Sequence, residues 1–311
     1  MHRIVGIELE YVQAEEAKMR IHRLLLILSL STILLNCAQT PESNKSIRSM
    51  TFNIRLNVAS DSLNAWPHRK QMAASMVQFY QADIVGVQEA LIDQVHDLEA
   101  RLPEYEWFGI GRDDGKEQGE FMAIFYLKDR FTILEDSTFW LSETPEVPGK
   151  GWDAACNRTV TWGKFLDKET NRTFYFFNTH FDHYGELARI ESAKLILRNI
   201  RAIAGNADVV LTGDFNSTPD SDPYIALTSI TKAANSVNLL DSKSITQDPH
   251  HGPNGTFNGF DLSTLNSRAR EIDYIFVTKG IGVKKHATLA DTFDGFFPSD
   301  HMPVFAEIII P

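Results

Sequence analysis

The sequence predicts an α/β fold of two packed β-sheets flanked by helices. Three observations carry this. Nine short apolar runs rich in β-branched and aromatic residues outnumber three amphipathic helical patterns. The two kinds of segment alternate too irregularly for a barrel of βα units. The composition, 43% hydrophobic and 23% charged over 311 residues, is that of a globular chain able to bury a large core.

The strand-like runs fall at 50–54, 83–87, 121–126, 131–140, 159–165, 174–179, 209–212, 272–277 and 304–310. Each is 4 to 10 residues long, with turn residues beside it. Between them, Met72, Met76, Val77 and Tyr80 share one helical face. So do Leu91, Val95, Leu98 and Leu102, and Pro103 stops that helix. A longer helix is expected over 185–204. The chain shows no repeat, low-complexity tract or interior linker, so 46–311 reads as one domain.

The first 37 residues read as an address. Arg20, His22 and Arg23 precede an apolar run from Leu24 to Leu35, interrupted by Ser29, Ser31 and Thr32. A spanning helix needs about 20 residues, so this run suits the core of a secretory signal. It ends in Leu34-Leu35-Asn36-Cys37, which resembles a bacterial lipobox, although Asn36 stands where a small residue is usual. The resemblance implies lipidation of Cys37 and an exported protein of the cell envelope. Residues 38–45 then form a polar tether. Four acids within 1–18 are foreign to a leader, and Met19 makes a better start than Met1.

The net charge is −11, and all of it lies beyond residue 37, because 1–37 holds four Lys/Arg and four Asp/Glu. Such a surface repels nucleic-acid phosphate at long range, and no basic stripe with interleaved aromatics offsets it. Two cysteines, Cys37 and Cys156, make no disulfide framework. Cys156 is expected to be an inert core thiol.

Chemistry-bearing residues stand where the apolar patterns stop: Asn53, Glu89, His180, Asp214 with Asn216, and Asp300-His301 before the last strand. If those strands lie side by side, three carboxylates, two amides and two imidazoles meet at one mouth. Hard oxygen donors suit Mg²⁺ or Mn²⁺. With positioned imidazoles, such an ion suits phosphoester hydrolysis.

The segments Thr51-Phe52-Asn53-Ile54-Arg55, Gln88-Glu89, Asn178-Thr179-His180, Gly213-Asp214-Phe215-Asn216, Ile272-Asp273-Tyr274 and Ser299-Asp300-His301 together resemble the endonuclease/exonuclease/phosphatase superfamily. That family spans deoxyribonucleases, inositol polyphosphate 5-phosphatases, neutral sphingomyelinases and deadenylases. The resemblance implies a four-layer α/β sandwich with its site at one end of the sheets. It implies that Glu89 is the principal metal carboxylate, with Asn53 beside it and Asp300 as a further ligand or supporting acid. Asp214 and Asn216 would orient or deprotonate the attacking water. His301 would be the acid/base or phosphate-binding histidine, its tautomer set by Asp273. His180 would be the second phosphate-contacting histidine, oriented by Glu120.

Other residues leave alternatives open. Arg55 and Arg158 either reach the phosphate or pair at the surface. Asp182 either supports the site or joins His180 and His183 in a zinc cluster. Trp140 and Trp152 either belong to the core or wall a pocket. The expected function is a lipid-anchored, metal-dependent phosphoesterase for a small, carbohydrate- or lipid-linked phosphate, acting as a monomer. The alternatives are an extracellular nuclease and a non-catalytic binding lipoprotein.

Overall fold

The computed structural model describes residues 15, 18–20, 45–229, 237–266 and 269–311. The chain divides into residues 1–44 and 45–311. The apolar run 24–35, Cys37 and nearly all of the tether lie outside the described residues. Among the described residues, no helix is long and apolar enough to cross a membrane.

Residues 45–311 form the expected sandwich of two six-stranded mixed sheets. The first sheet holds β1 (Ile47–Asn53), β2 (Ile84–Gln88), β3 (Tyr105–Phe108), β4 (Ile124–Leu127), β11 (Gly282–Thr288) and β12 (Val304–Ile309), in the order β11-β12-β1-β2-β4-β3. The second holds β5 (Phe131–Trp140), β6 (Thr159–Asp167), β7 (Arg172–His180), β8 (Val209–Asp214), β9 (Leu239–Asp241) and β10 (Asp273–Thr278), in the order β5-β6-β7-β8-β10-β9. The parallel pairs β1–β2 and β7–β8 are central in their sheets. Their crossovers carry the helices α1 (Trp66–Phe79) and α3 (Glu186–Ala204), and α2 (Ile92–Arg101) follows β2. Two short helices, α4 (Asp222–Thr228) and α5 (Ser242–Ile245), complete the domain's α-helices among the described residues. The three strands without a continuous apolar run in the sequence, β3, β9 and β11, are all sheet edges.

Strand alternation sorts the side chains into three cores. Met50, Phe52, Val85 and Val87 face outward and pack with Ala73, Val77, Val95 and Leu98 of α1 and α2. Phe177, Leu211 and Phe276 pack with Ala193, Ile196 and Ile200 of α3. Ile47, Ile84, Phe174, Phe176, Val210 and Ile275 fill the gap between the sheets. Further along the same strands that inner face turns polar. Thr51, Gln88, Asn178 and Thr212 are all fully buried there.

Asn178 joins the two sheets. Its Nδ2 donates to the Val87 carbonyl at 2.9 Å and the Ala123 carbonyl at 3.0 Å. Its Oδ1 accepts from Gln88 Nε2 at 2.6 Å and lies 3.3 Å from the Thr212 hydroxyl. This close approach needs Gly86, because a Cβ there would stand 2.5 Å from both Asn178 Oδ1 and Thr212 Oγ1. Gly86→Ala is therefore expected to destabilise the domain by at least about 2 kcal/mol, the scale of overpacking combined with a disturbed buried hydrogen bond. Gly149→Ala, whose Cβ meets nothing nearer than 4.0 Å, is expected to change stability by under about 0.5 kcal/mol. Urea unfolding of the two variants checks the contrast.

Candidate active site

The polar end of the inner face opens into a cavity of about 320 Å³. Strand register puts its central groups in one row. His180 on β7 stands opposite Asp214 on β8, which stands opposite Asp273 on β10. Registered neighbours point to the same face, so all three side chains enter the gap between the sheets. Asn53, at the end of β1, arrives from the other sheet, and its Nδ2 donates to Glu89 Oε1 at 2.9 Å and Asp214 Oδ2 at 3.0 Å. Its amide nitrogen thus meets the carboxylates, while its Oδ1 accepts from the Arg55 backbone N–H.

Three site residues sit in the left-handed region just beyond strands: Arg55 (φ 57°), Glu89 (φ 64°) and Asn216 (φ 46°). This conformation costs a side-chain-bearing residue ~1–2 kcal/mol and persists only where surrounding contacts impose it. For Glu89 those contacts are Asn53 Nδ2 and the Leu56 backbone N–H. For Asn216 they are Asp214 Oδ1, which accepts from its backbone N–H at 2.9 Å, and the Phe181 carbonyl, which accepts from Nδ2. Asn216 Nδ2 also lies 3.1 Å from His180 Nε2.

His301 follows the 296–299 loop and is fully enclosed. Its Nδ1 lies 2.9 Å from Asp273 Oδ2 and its Nε2 3.7 Å from Asp214 Oδ2. Asp273 also accepts from the Thr256 hydroxyl. Burial opposes charge on the imidazole, but Asp273 and Asp214 outweigh it and raise the His301 pKa well above the ordinary histidine value. Burial, with the nearby Asp273 carboxylate, pushes Asp214 up to about 7. Burial and the cations Arg158 and Arg112 hold His180 in its neutral form. Its Nδ1 is buried without a partner, 3.8 Å from Glu120.

The remaining expected residues divide. Arg158, at the mouth of β6, lines the cavity, as do Arg55, Glu120 and Asp300. Arg55 pairs with Asp61 at 3.0 Å and approaches Asp300 at 3.9 Å. Asp182 lies behind the wall. Its carboxylate accepts from the backbone N–H groups of Ala155, Tyr184 and Gly185 and holds Arg158 Nε at 3.4 Å. Ligand atoms of Asp182 and His183 gather with Cys156 rather than with His180, and the Arg158 guanidinium contacts both of them. Trp152 is not in the cavity wall; it packs on the outer core of the second sheet. Trp140 is buried and donates through Nε1 to the Arg112 carbonyl at 2.7 Å. Cys156 is half-buried in the cavity wall rather than in the core, with burial raising its thiol pKa.

Three positions in or behind the cavity wall escaped the sequence reading. Arg112 lines the cavity and donates to Glu120 at 2.6 Å. Phe257 packs edge-on to His301, with Arg270 over its ring. Arg69 on α1 is fully buried and donates to the carbonyls of Asn64, Ile54, Arg55 and Pro298. It pins the loops that carry Arg55 and Asp300. The only signal for Arg112 was its place in the glycine-rich stretch before Glu120; Arg69 on a polar helix carried none.

The donor set suits a hard cation. Ligand atoms of Glu89, His180 and Asp214 lie within 4.8 Å of one another. Among the described residues, neither Glu89 nor Asp214 has a lysine or arginine within ion-pair distance, and Asp214 meets positive charge at the His301 imidazolium, 3.7 Å from its Oδ2. Two such carboxylates beside Asp300 fit Mg²⁺-like chemistry.

A profile of the Endonuclease/Exonuclease/phosphatase family matches residues 50–301. The chain is 42% identical to a Bacteroides vulgatus endonuclease/exonuclease/phosphatase structure, with a TM-score of 0.81 over 86% of this chain and 99% of that one. It is 40% identical to a Bacteroides thetaiotaomicron mannosyl-6-phosphatase structure, with a TM-score of 0.77 over 85% of this chain and all of that one. It is 26% identical over 165 residues to the uncharacterized protein L388 of Acanthamoeba polyphaga mimivirus, covering 50% of this chain. The chain spans 61% of L388 and 36% of the uncharacterized protein R895 of the same virus.

The His301–Asp273 contact yields a test that needs no substrate. In Asp273→Asn, the His301 midpoint, followed by NMR of labelled histidine, is expected to fall by more than about one pH unit, or ~1.4 kcal/mol. An unmoved midpoint would show that Asp273 does not hold the imidazolium.

Proposed function

The chain belongs to the endonuclease/exonuclease/phosphatase family, and from that premise we propose that it hydrolyses a compact, carbohydrate-linked phosphate ester with the help of Mg²⁺ or Mn²⁺. The observation that carries this reading is the cavity. At about 320 Å³ it lies at the small end of the range for small-molecule sites, and arginines, imidazoles and carboxylates converge on it. Similarity to a mannosyl-6-phosphatase supports a sugar phosphate. The net charge of −11 argues against a long polyanion as the favoured substrate.

Glu89 would hold the cation, with Asp214 and Asp300 close by and Asn53 fixing the carboxylates. When bound, that ion supplies Lewis-acid stabilisation of charge growing on phosphoryl oxygens. The Asn216 backbone N–H occupies Asp214 Oδ1. Asn53 Nδ2 likewise donates to Oδ2, so a remaining lone pair of the carboxylate would take the proton from the attacking water, and a carboxylate pushed up to about 7 suits that role. The Asp273 carboxylate holds the His301 Nδ1–H, so Nε2–H is the bond presented to a phosphoryl or leaving oxygen. Neutral His180 offers a hydrogen bond without adding charge beside Arg158 and Arg112.

The test is a substrate panel with Mg²⁺ and Mn²⁺: sugar phosphates, phospholipids, bis-p-nitrophenyl phosphate, RNA and plasmid DNA. The best sugar phosphate is expected to exceed duplex DNA in kcat/KM per site at physiological salt. EDTA is expected to abolish activity, and Glu89→Gln to lower turnover at least about 100-fold, the usual scale of a lost catalytic group. Efficient plasmid cleavage with negligible small-ester activity would replace this reading with the nuclease one.

We further propose that Cys37 is lipidated and tethers the enzyme to the cell envelope. The support is the charged, apolar and cysteine-terminated order of residues 20–37. In a bacterial host the protein is expected in the membrane fraction, and Cys37→Ser to be mis-processed or released. An equally membrane-bound Cys37→Ser protein would overturn this.

A further inference from the structure

Arg158 is 4% exposed, yet its Nη1 has no hydrogen-bond partner. A guanidinium left incomplete in a buried wall is costly unless a ligand completes it. The other two nitrogens explain why it stays incomplete. Asp182 holds Nε at 3.4 Å, and His183 Nδ1 lies 3.0 Å from Nη2. Because arginine is always charged and only donates, His183 must accept at Nδ1. Asp182 is itself fixed by four backbone N–H groups, those of Ala155, Cys156, Tyr184 and Gly185, which holds the fork in place.

Arg112 stands in the same wall. Its Nη1 donates to Glu120, its Nε is buried without a partner, and Trp140 anchors its backbone carbonyl. Two oriented guanidinium groups, each with a donor to spare, thus line the cavity that holds Asp214 and His301.

We propose that Arg112 and Arg158 take the terminal oxygens of a phosphate monoester dianion, and that this wall makes the enzyme a monoesterase rather than a diesterase. The inference rests on the phosphoesterase reading above and assigns its substrate class. A monoester presents oxygens carrying two negative charges to the spare N–H donors. A diester carries one charge and a second organic group, which would face the guanidinium groups without satisfying them. The two arginines are substrate-binding residues that set specificity, and they leave the reacting atoms to Asp214 and His301.

The experiment compares p-nitrophenyl phosphate with bis-p-nitrophenyl phosphate, which share a leaving group, in the presence of Mn²⁺. The wild type is expected to favour the monoester at least 30-fold in kcat/KM. Arg158→Ala and Arg112→Ala are each expected to shrink that ratio at least 10-fold and to raise the inhibition constant of inorganic phosphate at least 10-fold. Added guanidinium chloride is expected to restore monoester turnover in Arg158→Ala selectively. Calorimetric Mn²⁺ binding checks that each variant is folded, and Arg158→Gln and Arg112→Gln replace an alanine variant that is not.

A wild type that prefers the diester would overturn the proposal. So would equal losses on both esters with an unchanged phosphate inhibition constant. If the wild type hydrolyses neither ester but binds inorganic phosphate through these arginines, the phosphoesterase reading fails while the anion wall stands. Hydrolysis with an unchanged ester ratio in the variants leaves the phosphoesterase and removes the wall.

Discussion

The Asn178 amide donates both Nδ2 protons and accepts from Gln88 in the gap between two sheets, and the geometry at the cavity mouth follows from that. Apolar side chains alone would let the sheets slide or rotate a little, since hydrophobic contact has no direction. A buried amide has direction, and misplacing it strands polar groups away from water. Asn178 couples β7 to β2 and to the backbone at Ala123. One residue pair further along, those strands deliver His180 and Glu89. The separation between groups from different sheets, such as Asn53 and Asp214 at 3.0 Å, is therefore set inside the sandwich rather than by loops.

The electrostatics follow from the same placement. Entering the gap from strands, His180, Asp214 and Asp273 are nearly devoid of solvent, and so is His301, which arrives from the loop before β12. Burial then separates their roles. It pushes Asp214 up and His180 down, while the Asp273–His301 contact runs against burial and keeps that imidazole charged. Neighbouring groups driven to different protonation states supply a proton acceptor and a proton donor within one cavity. The carboxylates of Glu89 and Asp214 stand in the same cavity as Arg112 and Arg158, so a cation and an anion can be held together.

The sandwich was legible in the sequence because its inner strands are buried on both faces and read as apolar runs. The strands left unpredicted, β3, β9 and β11, are edges. Lys284 and Lys285 on β11 and Glu106 on β3 interrupt any such run, as befits strands that must not pair with another chain. The site was legible wherever chemistry interrupts an apolar pattern, as at His180, Asp214 and His301. It was illegible where function depends on a side chain arriving from elsewhere. Arg112 reaches the cavity from a glycine-rich turn, and Arg69 acts only through the carbonyls it binds. For Trp152 the sequence left core and pocket wall open, and its ring packs on the outer core. Large aromatics bury the most area wherever they land, so composition alone does not place them.

The position of the site within the sheets also separates two lifetimes. Asn53, Glu89, His180 and Asp214 belong to the ends of central strands or the residues just beyond them, and β1, β2, β7 and β8 have neighbours on both sides. Such strands open only with global unfolding, whereas edges and surface loops fray far more often. Arg112 and His183, by contrast, stand on connecting loops. Transient excursions of this molecule would thus loosen its grip on a particular ligand long before they disperse the reacting groups. Selectivity in such an enzyme can drift with temperature or with loop sequence while the reactive centre persists unchanged.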